Sequence, residues 1–263
     1  MNSGKLTRLK FYLRSTLIPF LLALLLWQCA GPSRTKPSGF THKITNYNIR
    51  IDSTLTSDSA MNALVAPYRA ELDQIMGKVV GHAAVDLRAQ KPEGELNNFV
   101  ADLMVKRANA EYPDTVEMGL TNVGGLRVNI PRGPIALGKI FEVMPFENEL
   151  VVLALTGEQL FVLAQQIGEV RGECVSGMTL EFKDQKLSRL MVQGEYVDKE
   201  KIYHLVTTDY LSEPSRNRLS ILGQVPRTFL GVTLRDAIID EVEALEAAGQ
   251  PVSARIEGRI VFK

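Results

Sequence analysis

Apolar positions along this chain follow two periods, and the change from one to the other marks out the elements. In "NYNIRID" the alternation of Tyr47, Ile49 and Ile51 predicts a half-buried strand. Met61, Leu64, Tyr68, Leu72 and Ile75 recur at helical spacing, so a helix capped by Ser57 or Asp58 is expected to run to about Met76, with Pro67 as a point where it could kink. "KVVGHAAVDL" reads as a strand. After the loop "AQKPEGE", Leu96, Phe99, Val100, Leu103 and Met104 predict a second helix. Val116–Leu120 is an apolar strand, "ALGKIFEV" a short helix and "ELVVLALTG" a buried strand. "TGEQLFVLAQQIGEV" is a helix entered through Thr156 or Gly157. Three strand patterns follow, "GMTLEFK", "LSRLMVQG" and "YHLVTTDYL", separated by polar turns. Leu234 to about Ala248 predicts a last helix closed by Gly249, and "ARIEGRIVF" a final strand. Helices set among strands without strict alternation predict a layered, mixed α/β domain.

The first residues stand apart from this pattern. Lys5, Arg8, Lys10 and Arg14 precede the apolar run Leu17–Trp27, which is short for a membrane span and ends at Gln28-Cys29. The pattern resembles a bacterial lipoprotein signal, with cleavage before Cys29 and acylation of its sulfur. An uncleaved anchor, or a secretory signal with an incidental cysteine, stays open, because Gln28 and Trp27 are bulkier than such signals favour. The polar Pro/Ser/Gly-rich stretch that follows suits a spacer from a membrane surface. The expected organisation is therefore a signal peptide over 1–28, a polar tether over 29–42 and one domain over 43–263, facing the periplasm or exterior.

Charge and cysteine content narrow the function. Without residues 1–28 the chain carries 26 basic and 30 acidic residues, net −4. That balance argues against a nucleic-acid polymer as partner but allows a small anion held by a few placed arginines. With Cys29 lipidated, only Cys174 remains, so no internal disulfide is expected and Cys174 reads as a small apolar residue. His42, His82 and His204 are isolated from one another and from other ligand types, which gives no metal motif. A Gly-x-Ser-x-Gly elbow and a Walker loop are both missing from the sequence. No complete catalytic apparatus is legible.

Binding features remain. "NVGGLR", Asn122 to Arg127, interrupts the apolar pattern with two adjacent glycines and an arginine. Glycines allow positive φ and close approach, successive N–H groups can cradle an anion, and the guanidinium fork suits phosphate or carboxylate. A tight turn with a surface arginine is the plainer alternative. Phe146 and Asn148 in "MPFENEL", and Tyr210 in "TTDYLSEPSRNRL", sit in polar loops at strand ends. Loop aromatics at strand ends more often serve as lids over a core; two such rings can also clamp a planar ring, and an amide such as Asn148 can read a base edge.

The stretch from Thr121 to Leu160, "TNVGGLRVNIPRGPIALGKIFEVMPFENELVVLALTGEQL", is similar to the C-terminal, substrate-binding domain of the 5′-nucleotidases. The order of the surrounding segments also fits, over roughly Lys43 to Lys263. The resemblance implies a four-layer α-β-β-α sandwich. It implies that Phe146 and Tyr210 stack on a nucleoside base while Asn122, Gly124, Gly125, Arg127 and Asn148 hold the rest. Three departures accompany it. Arg216 in "SEPSRNR" stands where the family has an aspartate for the ribose hydroxyls. "EGELNN" at 93–98 replaces "ESNLGN", and the arginine expected before it is matched only loosely by Arg88. The metallophosphatase domain, with its two metals, has no counterpart in the sequence, so no cofactor is expected in this chain. The resemblance thus implies a lipid-anchored domain that binds a nucleoside or nucleotide and relies on a separate metallophosphatase chain for hydrolysis. The alternative is a degenerate envelope scaffold with no nucleotide site.

Overall fold

The computed structural model describes residues 55–56, 58–214 and 218–263. The signal, the tether, the strand expected around Ile49 and Arg216 lie outside the described residues. Asp58–Lys263 forms one compact unit. Its helices are α1 Ser59–Met76, α2 Glu95–Glu111, α3 Leu137–Val143, α4 Gly157–Glu169 and α5 Leu234–Ala247. Its strands are β1 Val79–Ala83, β2 Met118–Thr121, β3 Gly133–Ala136, β4 Glu149–Thr156, β5 Cys174–Ser176, β6 Met178–Lys183, β7 Lys186–Val192, β8 Glu195–Tyr196, β9 Ile202–Thr208, β10 Arg227–Thr233 and β11 Ile260–Phe262.

The mixed α/β class expected above is the class observed. A central five-stranded sheet runs in the order β10-β4-β9-β2-β5, with β2 parallel to β9 and its other pairs antiparallel. Side chains alternate across this sheet, and both faces are covered. Leu150, Val152 and Val206 point into a core shared with α2, α3 and α5. Leu153, Leu155, Met118, Leu120 and Leu205 point into a second core shared with α4 and the smaller sheet β11-β6-β7-β8. Burial on both faces is why "ELVVLAL" reads as a continuous apolar run rather than an alternating one. Gly119 in β2 lies against α2, and a Cβ there would stand 2.6 Å from the Ala101 carbonyl oxygen, so only glycine lets the strand sit this close.

The helix caps follow the sequence. Asp58 accepts the Ala60 and Met61 amides at the start of α1. Thr156 and Gln159 form a reciprocal capping box at α4. The helix α1 continues across Pro67. Its apolar stripe is correctly spaced, yet no residue of α1 is buried. The expected final strand is shorter than "ARIEGRIVF": Gly258 turns with φ +77°, and only Ile260–Phe262 pairs, parallel to β6.

Cys174 behaves as the small apolar residue expected. It is fully buried in β5 opposite Thr121, and burial first, then the neighbouring Glu173 charge, raise its thiol well above the ordinary range. In a Cys29→Ser chain, Ellman's reagent at pH 8 should release no colour from the native protein and one equivalent per chain in denaturant. Rapid release without denaturant would contradict the burial.

Candidate functional site

Sheet topology gathers the candidate residues before any side chain is considered. Strand β2 is parallel to β9, and β4 is antiparallel to β9 with Leu150 opposite Thr208. The C-terminal ends of β2 and β9 and the N-terminal end of β4 therefore lie at one end of the central sheet. The loop after β2 carries Asn122–Arg127, the loop before β4 carries Phe146–Asn148, and the turn after β9 carries Tyr210. Asn122, Gly124, Gly125, Arg127, Phe146, Asn148 and Tyr210 together line a cavity of about 190 Å3. All seven sequence-derived binding candidates thus meet in one place. Phe146 and Tyr210 are 42% and 40% exposed, so neither side chain is used up by core packing.

The loop geometry differs from the sequence expectation in one respect. Neither Gly124 nor Gly125 has positive φ; Val123–Gly125 is a single 3₁₀ turn. The amides of Gly125, Leu126 and Arg127 donate to the carbonyls of Asn122, Val123 and Val143, at 3.0, 3.0 and 2.9 Å. The Val123 amide donates to Glu173 Oε2 at 2.7 Å. With these four donors already engaged, the loop is not an open anion cradle, and its cation is the Arg127 side chain. Arg127 Nη1 donates to the Gly124 carbonyl at 3.2 Å. The glycines instead leave room for an amide: a Cβ at Gly125 would stand 3.3 Å from Asn122 Oδ1.

Two supporting residues escaped the sequence reading. Glu173 is buried just before β5 and takes the Val123 amide on one oxygen and Lys91 Nζ on the other, at 3.1 Å. Lys91 also donates to the Val170 carbonyl at 2.7 Å. The Asn122–Arg127 loop is thereby tied to two distant segments. Arg235, in the first turn of α5, does the same for the Phe146 loop. Its guanidinium lies 4.5 Å from the Phe141 ring centroid, donates to Glu147 Oε1 at 3.0 Å and reaches the Phe146 carbonyl at 3.5 Å. The Leu234 amide adds a 2.8 Å bond to the Asn148 carbonyl. No periodicity marks either residue, because each acts through partners remote in sequence.

Arg235 is mostly buried whereas Glu147 is 79% exposed. The ion pair should therefore contribute little, and the stacking on Phe141 more. Arg235→Ala is expected to cost about 2 kcal/mol in urea denaturation, and Glu147→Ala under about 0.5 kcal/mol. Equal losses would mean that the ion pair itself holds the loop.

Other candidates stay outside the cavity. Arg88 pairs with Asp86 at 3.6 Å and does not line it. His82 meets Glu246 at 3.0 Å, and His204 meets the Thr115 carbonyl at 3.0 Å with its ring edge-on to Tyr112. Among the described residues, no three His, Cys, Asp or Glu side chains gather as a metal cage. No helix of the described residues is long and apolar enough to cross a membrane.

Comparison with known proteins gives the same frame. The chain is 26% identical over 220 residues to Endonuclease YhcR of Bacillus subtilis, covering 79% of this chain and 17% of that protein. It is 25% identical over 256 residues to cell wall protein Lmo0130 of Listeria monocytogenes, covering 84% of this chain and 31% of that one. Its structure superposes on a 5′-nucleotidase precursor from Thermus thermophilus with a TM-score of 0.67 and 28% identity, over 77% of this chain and 43% of the other. The chain thus spans less than half the length of each of these proteins. Residues 79–217 match the family described as 5′-nucleotidase, C-terminal domain. Since that match covers more than half of the sequence, the chain belongs to the 5′-nucleotidase C-terminal domain family.

Proposed function

We propose that this chain is a lipid-anchored protein of the cell envelope that binds a nucleoside or nucleotide and works with a separate metallophosphatase chain in nucleotide hydrolysis. The observation that carries the binding reading is the convergence of two half-exposed rings, Phe146 and Tyr210, with Asn122, Asn148 and Arg127 around one cavity. A planar base fits between aromatic faces, the amides offer paired donors and acceptors, and the guanidinium suits an anionic or hydroxyl-rich remainder. The base stacks on Phe146 and Tyr210; Asn148 reads its edge; Arg127 and Asn122 hold the polar part. The chemistry of bond cleavage, and the metals it uses, belong to the partner chain, so this chain carries no cofactor. The envelope location rests on the basic–apolar–Cys29 pattern of the sequence and fits a relative named as a cell wall protein. The domain begins after the tether that ends at residue 42.

A second reading, an envelope scaffold without a nucleotide site, is favoured by two observations. Arg216 replaces an acid, and four amides of the Gly-Gly loop, those of Val123, Gly125, Leu126 and Arg127, are already engaged. Calorimetric titration of the full chain in detergent with adenosine, AMP and other nucleosides separates the two. Saturable binding supports the first reading. No binding by any of them, to protein with a native melting transition and with the metallophosphatase chain present, leaves the scaffold. Phosphate release from AMP should require both chains together; release by this chain alone with divalent metal would overturn the division of labour.

A further inference from the structure

A second hollow of about 430 Å3 adjoins the candidate base site, sharing Asn148 and Tyr210 with it and adding Asp209, Glu213, Arg227 and Phe229. Phe229 is 52% exposed, more than either ring of the first cavity. It lies on β10, the edge strand of the central sheet, opposite Val151. Arg227 stands two residues earlier, on the same face of the strand, with its guanidinium 5.7 Å from the Phe229 ring centroid. Its ion pair with Glu213 is long, at 3.6 Å. Leu230 and Val232 pack on the first core, so the opposite face of β10 is where Phe229 and Arg227 stand. An exposed ring beside a guanidinium is a stacking platform for a planar group.

The charges of the hollow select among ligand groups. Two carboxylates, Asp209 and Glu213, line the hollow with one guanidinium, a net negative environment that repels a bare phosphate and accepts the amino group of a base. Asp209 also accepts the Glu149 and Tyr210 amides on Oδ1. Tyr210 lines both hollows, so a ligand that enters one passes this ring to reach the other.

We propose that Phe229 and Arg227, with Asp209 and Glu213, form a subsite for the second base of a dinucleotide whose first base occupies the Phe146–Tyr210 cavity. This inference rests on the nucleoside-binding reading above. It makes the preferred ligand a linked pair of nucleotides rather than a mononucleotide.

The test is calorimetric titration of the full chain with adenosine, AMP, the 3′–5′-linked dinucleoside monophosphate ApA and the 5′–5′-linked diadenosine diphosphate. At least one dinucleotide is expected to bind about tenfold more tightly than AMP, as stacking of one further base implies. That ratio should fall to about one in Phe229→Ala and recover in Phe229→Tyr, which keeps the ring. If AMP binds but neither dinucleotide gains more than about twofold, or the gain survives in Phe229→Ala, the subsite is overturned while the base site stands. If adenosine and AMP fail to bind but a dinucleotide binds and loses its affinity in Phe229→Ala, the subsite stands. Failure of every ligand, with the protein natively folded, overturns both.

Discussion

Phe146→Ala should weaken adenosine binding roughly 5- to 150-fold, the range that corresponds to losing one aromatic stacking partner of about 1–3 kcal/mol. The melting temperature should barely move, because the ring is 42% exposed and contributes little to either core. That separation of affinity from stability is what a ligand platform predicts and a core lid does not. Tyr210→Ala should show a similar loss, and Tyr210→Phe should keep most of the affinity if the ring face rather than the hydroxyl carries the contact. Calorimetry and differential scanning fluorimetry on the same samples measure both quantities. A melting point that drops in step with affinity would place Phe146 in the core instead.

The largest expected loss of stability comes from Glu93→Ala. This carboxylate is nearly inaccessible to solvent and accepts four bonds: Asn98 Nδ2 and the Glu257 amide at 2.7 Å, and the Gly258 and Arg259 amides at 2.9 Å. It fills the concavity made by the backbone where Gly258 turns with positive φ. The segment so gripped leads directly into β11, which pairs with β6. Hydrogen bonds to a charged group contribute roughly 1.5–3 kcal/mol each and add incompletely, so a loss of about 4 kcal/mol is expected. For a domain of this size that corresponds to about 8–16 °C in melting temperature. Glu93→Gln should not rescue it, since its amide nitrogen would face backbone donors wherever it points. A wild-type melt for Glu93→Gln would show that shape, not charge, fixes the segment.

The long elements were legible because their periods are set by burial on a definite face. The helices α2, α4 and α5 and the strands β4 and β9 lie where apolar spacing puts them. The omissions share a cause. β3, β5 and β8 are too short to establish a period, and β10 begins Arg-Thr-Phe because it is an edge strand with its start exposed. For α1 the spacing was right, but periodicity names a face without naming what lies against it. The seven cavity residues were found through the family resemblance; residues alone gave only loop aromatics and a Gly-Gly-Arg turn of ambiguous meaning. Glu173, Arg235 and Glu93 were invisible as supports, because a side chain that fixes a distant backbone leaves no local pattern.

The cavity side chains hang from three strand ends of one sheet buried on both faces, while the two cores lie along the strands behind them. On the proposed binding reading, recognition and folding are assigned to separate stretches of chain. Loop sequences can drift, lengthen or be exchanged between relatives without disturbing the strand register, so ligand preference can diversify faster than the scaffold that displays it.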